Sequence, residues 1–189
     1  MKYEILKFNN HNIYKIKVDG IDKKSTIHEF DINSQFLGKT GCADTIMSPI
    51  LRNAYSTCYQ AVMDLYSEVL DKKIISGYQS GWVLSCDPQD NTGDFHTHRL
   101  LSNKYPEIDC DYVWTYYLET PNNCVGIEGH LVLKENDETF SFPTEEGYLY
   151  TFESTILHRG QEAPNSTKKR IVIVANISFY YRNYDCCFS

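Results

Sequence analysis

The chain has 189 residues, enough for one ordinary domain with a real core, whereas two independent domains would each be small. Its 42% apolar content, with 15 Tyr and 9 Phe, indicates a globular chain rich in strand-forming residues and excludes a disordered one. A net charge of −7 disfavours a nucleic-acid partner held mainly through phosphates.

The opening residues Met1-Lys2-Tyr3-Glu4-Ile5 lack the apolar run of a signal peptide, and no stretch reaches the roughly 20 apolar residues of a membrane span. A cytoplasmic protein with no membrane partner is expected. From Met1 to about Phe36 short alternating runs such as Asn12–Val18, closed by Asp19-Gly20, predict strands and turns that also carry His11 and His28 as exposed residues. Residues 37–48 read as loop. From 50 to 71 the apolar positions 50, 51, 54, 58, 62, 65, 66 and 69 follow the helical period, with Ser48 as N-cap and Pro49 as first helical residue. This helix is expected to cover the outside of a sheet.

Beyond Lys73 the pattern is one of strands, at about 74–86, 94–98, 112–119, 129–134, 138–142, 147–152 and 171–180, separated by clusters such as Pro88-Gln89-Asp90-Asn91 and Pro164-Asn165-Ser166. Many short strands at this spacing predict a mainly β chain, a sandwich or barrel of jelly-roll type. The expected organisation is a single domain over 1–189, with N-terminal strands and supporting helix in 1–73 and the β core in 74–180. The seven cysteines lack CxxC spacing, which argues against a disulfide framework or a zinc knuckle; Cys186-Cys187 read as a tail feature.

His96 and His98, two apart on an expected strand, share a face and can chelate one ion such as iron or zinc. Alone, such a pair is as readily two polar residues on a solvated strand. A second block sharpens the choice: Pro143 and Gly147 make a turn, an apolar strand with Leu149 and Phe152 follows, and a loop then delivers His158. Twelve residues on, Arg170 heads the apolar run Ile171-Val172-Ile173-Val174-Ala175. A guanidinium there needs a planar anion as partner if it is buried, and otherwise continues the surface turn of Lys168-Lys169. His130, Trp82 and Trp114 read as core residues before site residues.

The order of His96-Thr97-His98, the aromatic strand ending in Tyr116-Tyr117-Leu118, the Pro143 to Phe152 block, His158, and Arg170 before a strand closing in Asn176-Ile177 resembles the 2-oxoglutarate and iron(II)-dependent oxygenases. It is most similar to their short, phage- and bacterial-type members, over roughly residues 78–180. The resemblance implies a double-stranded β-helix with iron(II) held by His96, His98 and His158, and 2-oxoglutarate held by two iron contacts and by Arg170. It also implies dioxygen as oxidant and hydroxylation of an unactivated C–H bond, with succinate and CO2 as coproducts. Two positions depart from the family pattern. His98 stands where an aspartate is usual, with Asp94 as a possible carboxylate in its place, and Val172 stands where Ser or Thr often supports the cosubstrate, so Thr115, Tyr117 or Tyr150 would supply that hydrogen bond. A cupin-type three-histidine dioxygenase without 2-oxoglutarate and a non-catalytic jelly-roll binding protein remain as alternatives. The expected substrate is a small molecule or a protein side chain, chosen by the loops at 37–48 and 99–111 and by the strand-end loops.

Overall fold

Local signals start most elements of the computed structural model, which describes residues 2–37, 40–45, 47–70, 74–90, 94–98 and 110–181. Strands β1 (Tyr3–Phe8) and β2 (His11–Lys17) form a hairpin whose turn places Asn9 at φ 51°, a left-handed conformation that asparagine tolerates. The Asp22 carboxylate accepts the Ser25 N–H at 3.2 Å and so caps α1 (Lys23–Asn33). After β3 (Gln35–Leu37) and β4 (Thr40–Asp44), Ser48 accepts the Leu51 N–H at 3.1 Å and Pro49 opens α2 (Pro49–Val69). The remaining strands are β5 (Ile74–Cys86), β6 (Tyr112–Glu119), β7 (Leu131–Glu135), β8 (Glu138–Phe142), β9 (Tyr148–Glu153), β10 (Leu157–Gly160) and β11 (Arg170–Tyr181).

Eight strands pair antiparallel in the order β1-β2-β9-β6-β11-β5-β4-β3, and β10-β7-β8 make a second sheet, which an antiparallel bridge from His96 to His158 extends. The period of two sorts each central strand into two faces. On β6, Trp114, Tyr116 and Leu118 join Ile171, Ile173 and Ala175 of β11 and the buried stripe of α2, Leu51 to Tyr66, in one core on the helical side. Val113 and Tyr117 of β6, with Val172 and Val174 of β11, join Leu131, Leu133 and Phe142 in a second core between the sheets. The molecule is therefore layered as helices, large sheet and small sheet, a mainly β jelly roll supported by α2.

Three sequence expectations are corrected. Residues 23–33 are helical, so His28 lies on α1; only Thr26 and Phe30 of that helix are buried, too few to print a helical period. The expected loop at 37–48 contains β4, whose small residues Gly41, Cys42 and Ala43 are held by register with Ser85, Leu84 and Val83 of β5, a long-range pairing invisible locally. His158 sits on β10 rather than a loop, with Leu133 of β7 as its Cα partner. Residues 99–109 and Cys186-Cys187, both singled out above, lie outside the described residues.

Candidate functional site

His96, His98 and His158 bring one ligand nitrogen each to within 4.8 Å of one another, the only such group of three His, Cys, Asp or Glu among the described residues. Backbone pairing assembles them. His96 and His158 exchange two hydrogen bonds, N–H to carbonyl at 3.1 and 2.9 Å, and the His98 N–H donates to the Ser154 carbonyl at 3.0 Å. Aromatic walls hold the rings: Trp82 stacks on His98 at 5.9 Å with an 11° interplanar angle, and Phe152 meets His158 edge-on at 5.0 Å. His158 is 4% exposed and His98 half-buried, while His96 is the most open.

Each Nδ1 has a hydrogen-bond partner, and for His96 and His158 that partner fixes the tautomer. His96 Nδ1 faces the Asp94 carbonyl at 2.9 Å and His158 Nδ1 the Ile156 carbonyl at 2.9 Å. A carbonyl only accepts, so both Nδ1 atoms carry hydrogen and both Nε2 atoms keep a lone pair. His98 Nδ1 faces the Asn176 side-chain oxygen at 2.5 Å. Burial pushes the His98 pKa down to about 4, with the Asn176 hydrogen bond opposing and His96 adding to the fall. Burial likewise takes His158 down to about 3, reinforced by His98 and opposed by the Ile156 carbonyl. Both are neutral at pH 7, as metal ligation by imidazole requires.

The histidines open on a cavity of about 160 Å³ between the sheets, walled by Trp82, Leu84, Leu131, Val172 and Val174. Arg170 also lines it, 3% exposed, where Cys86 of β5 is its Cα partner. One nitrogen, Nη2, donates to the Gln161 carbonyl; Nε and Nη1 are buried without any hydrogen-bond partner, and among the described residues no carboxylate forms an ion pair with Arg170. Such a charge is costly to bury unless an anion arrives to meet it. Thr115 and Tyr117 of β6 complete this end. The Thr115 hydroxyl is buried and makes no hydrogen bond of normal geometry, although it lies close enough to Tyr117 to act on that phenol, whose pKa burial raises and the Arg170 charge opposes.

No protein-family model and no curated protein matches this sequence. Solved structures do. A 2OG-Fe(II) oxygenase family oxidoreductase from Burkholderia pseudomallei superposes with a TM-score of 0.65 at 8% identity, over 85% of this chain and 79% of that one. A Pseudomonas putida prolyl-4-hydroxylase gives 0.63 at 12% identity over 92% and 95%. HygX from Streptomyces hygroscopicus, with nickel and 2-oxoglutarate bound, gives 0.63 at 11% identity over 90% and 84%. The fold is that of the 2-oxoglutarate and iron(II)-dependent oxygenases.

Within this oxygenase fold the chain brings His96, His98, His158, Arg170, Thr115 and Tyr117 to one cavity. Tyr150 does not reach it. Fully buried, it packs edge-on behind Tyr117 at 5.5 Å and donates its hydroxyl to the Pro143 carbonyl at 3.0 Å, so it supports Tyr117 from behind. The Asp94 carboxylate is not among the converging ligand atoms; Asp94 is exposed and contributes its backbone carbonyl. His130 does not line the cavity, and His11, expected exposed, is half-buried between Glu135 at 3.0 Å and Glu153 at 3.2 Å. Sequence reasoning assigned no site role to Asn176 and read Trp82 as core, whereas Trp82 lines the cavity. A signal for Asn176 exists, since it shares the parity of Arg170, Val172 and Val174 on an otherwise apolar strand face.

Proposed function

We propose that this protein is a 2-oxoglutarate-dependent iron(II) oxygenase that hydroxylates a C–H bond of a small molecule or a protein side chain. Residues 1–73 would back the 74–180 core in a single domain. The observation that carries the reading is the buried Arg170, which has two unpaired nitrogens and lines the same cavity as three converging imidazoles. The donor set fits one divalent first-row metal, for which imidazole is a suitable ligand, and the cavity has the space of about five waters, enough for a five-carbon dicarboxylate.

In this reading His96, His98 and His158 hold iron(II) through Nε2, and the metal, with dioxygen and 2-oxoglutarate, supplies the oxidising chemistry. Arg170 clamps the distal carboxylate of 2-oxoglutarate through Nε and Nη1, and the Thr115 or Tyr117 hydroxyl serves the same carboxylate in place of the residue at 172. Three neutral ligands leave the metal's two positive charges uncancelled. Together with Arg170 they make the cavity a strong attractor for a dianion. Leu84, Leu131, Val172 and Val174 keep water from the reacting centre, which strengthens each of these contacts. The prolyl-4-hydroxylase and HygX likenesses support this class through the fold.

The three-histidine set favours one rival, a dioxygenase in which a carboxylate-bearing substrate binds the metal directly and Arg170 clamps that substrate instead. Incubation of the iron(II)-loaded protein with 2-oxoglutarate in air decides between them. Our reading expects succinate above a His158→Ala control; no succinate beyond that control favours the rival.

A further inference from the structure

A carboxylate ligand presents an oxygen to a metal whichever way it turns, but an imidazole presents a lone pair at Nε2 only in one of its two neutral tautomers. His98, standing where the family's pattern has an aspartate, therefore needs a device that the aspartate would not. Its two companions obtain one from the backbone, through the Asp94 and Ile156 carbonyls. For His98 the partner of Nδ1 is instead a side chain, the Asn176 amide oxygen at 2.5 Å.

We propose that Asn176 is the positioning residue that makes a third histidine workable at this centre, by accepting a hydrogen bond from His98 Nδ1 and so reserving Nε2 for the metal. The inference deepens the metal reading above and rests on it only for its consequence for affinity. Asn176 lies on β11, held from both sides by Ser80 of β5 and Val113 of β6, so its side chain starts from a fixed point in the sheet. Trp82, stacked on His98 at 5.9 Å, removes the ring's freedom to tilt, and the Cys110 thiol donates to the His98 carbonyl at 3.0 Å. Only rotation about the ring's own bond and the choice of proton remain, and the amide oxygen sets both. Arg170, Val172, Val174 and Asn176 thus form one inward row of β11, with the anion clamp at its start and the ligand-orienting group at its end.

The test reads the tautomer first and the affinity second. Imidazole 15N shifts of the metal-free protein near pH 7 should show His98 protonated at Nδ1 alone in the wild type and as a tautomer mixture in Asn176→Val, with His96 and His158 unchanged as internal controls. Cobalt(II), titrated by its visible absorption, should bind Asn176→Val about 10- to 100-fold more weakly, the usual loss when a ligand's orienting partner is removed. Asn176→Asp, which keeps the acceptor, should restore both readouts. In a His98→Asp background, replacing Asn176 should cost less affinity, because no tautomer is left to choose. Asn176→Ser, too short to reach the ring, substitutes for the valine variant if that fails to fold. A single unchanged His98 tautomer in Asn176→Val, or an equal loss of cobalt in both backgrounds, overturns the inference. A wild type that shows the expected tautomer but binds no cobalt defeats the metal reading instead.

Discussion

Replacing Arg170 by methionine should move binding and stability in opposite directions. The side chain is 3% exposed with a single hydrogen bond, to the Gln161 carbonyl, and leaves Nε and Nη1 unpaired. In the ligand-free protein that charge is a burden, since a buried ion without a partner costs several kcal/mol and an apolar residue of similar volume is often neutral or stabilising. Arg170→Met should therefore unfold at the same denaturant concentration as wild type or a higher one. With 2-oxoglutarate the sign reverses. Loss of a desolvated bidentate contact costs about 2–5 kcal/mol, mainly because the carboxylate is left buried and unpaired, which is about 30- to 4,000-fold in affinity. A concentration 100 times the wild-type Kd stabilises wild type by about 2.7 kcal/mol and should stabilise Arg170→Met by about 0.9 kcal/mol or less. Arg170→Lys keeps the charge without the fork and should recover only part of the affinity. The assay is chemical denaturation of the metal-loaded protein with and without 2-oxoglutarate, kept anaerobic. Equal ligand stabilisation in wild type and Arg170→Met would refute the clamp, and a loss of several kcal/mol in the ligand-free variant would mark the guanidinium as structural.

The ligand set predicts that His158→Ala and His98→Ala lose stoichiometric iron in metal analysis while Asp94→Ala keeps it; iron lost from Asp94→Ala alone would replace His98 in the set. Acid should destabilise the metal-free protein through the two buried histidines. Their folded pKa values, about 3 for His158 and about 4 for His98, lie below the unfolded value, so the stability they allow is complete above about pH 6.5 and falls as pH drops toward 4. Near pH 5 the loss is about 2 kcal/mol per histidine, and His158→Gln should flatten the pH dependence of denaturation; an unchanged slope contradicts this. Gly81→Ala would put its Cβ 2.1 Å from Tyr55 Cε2 on the helical side of β5 and should cost about 1–3 kcal/mol of stability with iron still bound, as measured by denaturation and metal analysis.

Much of this architecture is legible in short stretches. α2 announces itself through Ser48, Pro49 and an unbroken apolar period, and β6, β9 and β11 through dense Val, Ile and Tyr. What stays hidden depends on distant partners. α1 buries only Thr26 and Phe30, and β4 exists because β5 offers it an edge. The site divides in the same way: His96, His98, His158 and Arg170 stand out by residue type and spacing, whereas the role of Asn176 appears only when β11 is laid beside the 94–98 segment. Tyr150 illustrates the converse. Its position on β9 suits a cosubstrate contact, but Tyr117 stands between it and the cavity and the Pro143 carbonyl takes its hydroxyl.

In the proposed enzyme one iron and one 2-oxoglutarate meet in the cavity between His158 and Arg170. Anaerobic addition of iron(II) and then 2-oxoglutarate, followed by visible absorption, tests it directly. The expected result is a metal-to-ligand charge-transfer band that needs both additions, saturates at one equivalent of iron per chain, is absent in His158→Ala and requires far more 2-oxoglutarate in Arg170→Met. A band of unchanged midpoint in Arg170→Met, or none in a wild type that has bound its iron, would contradict it.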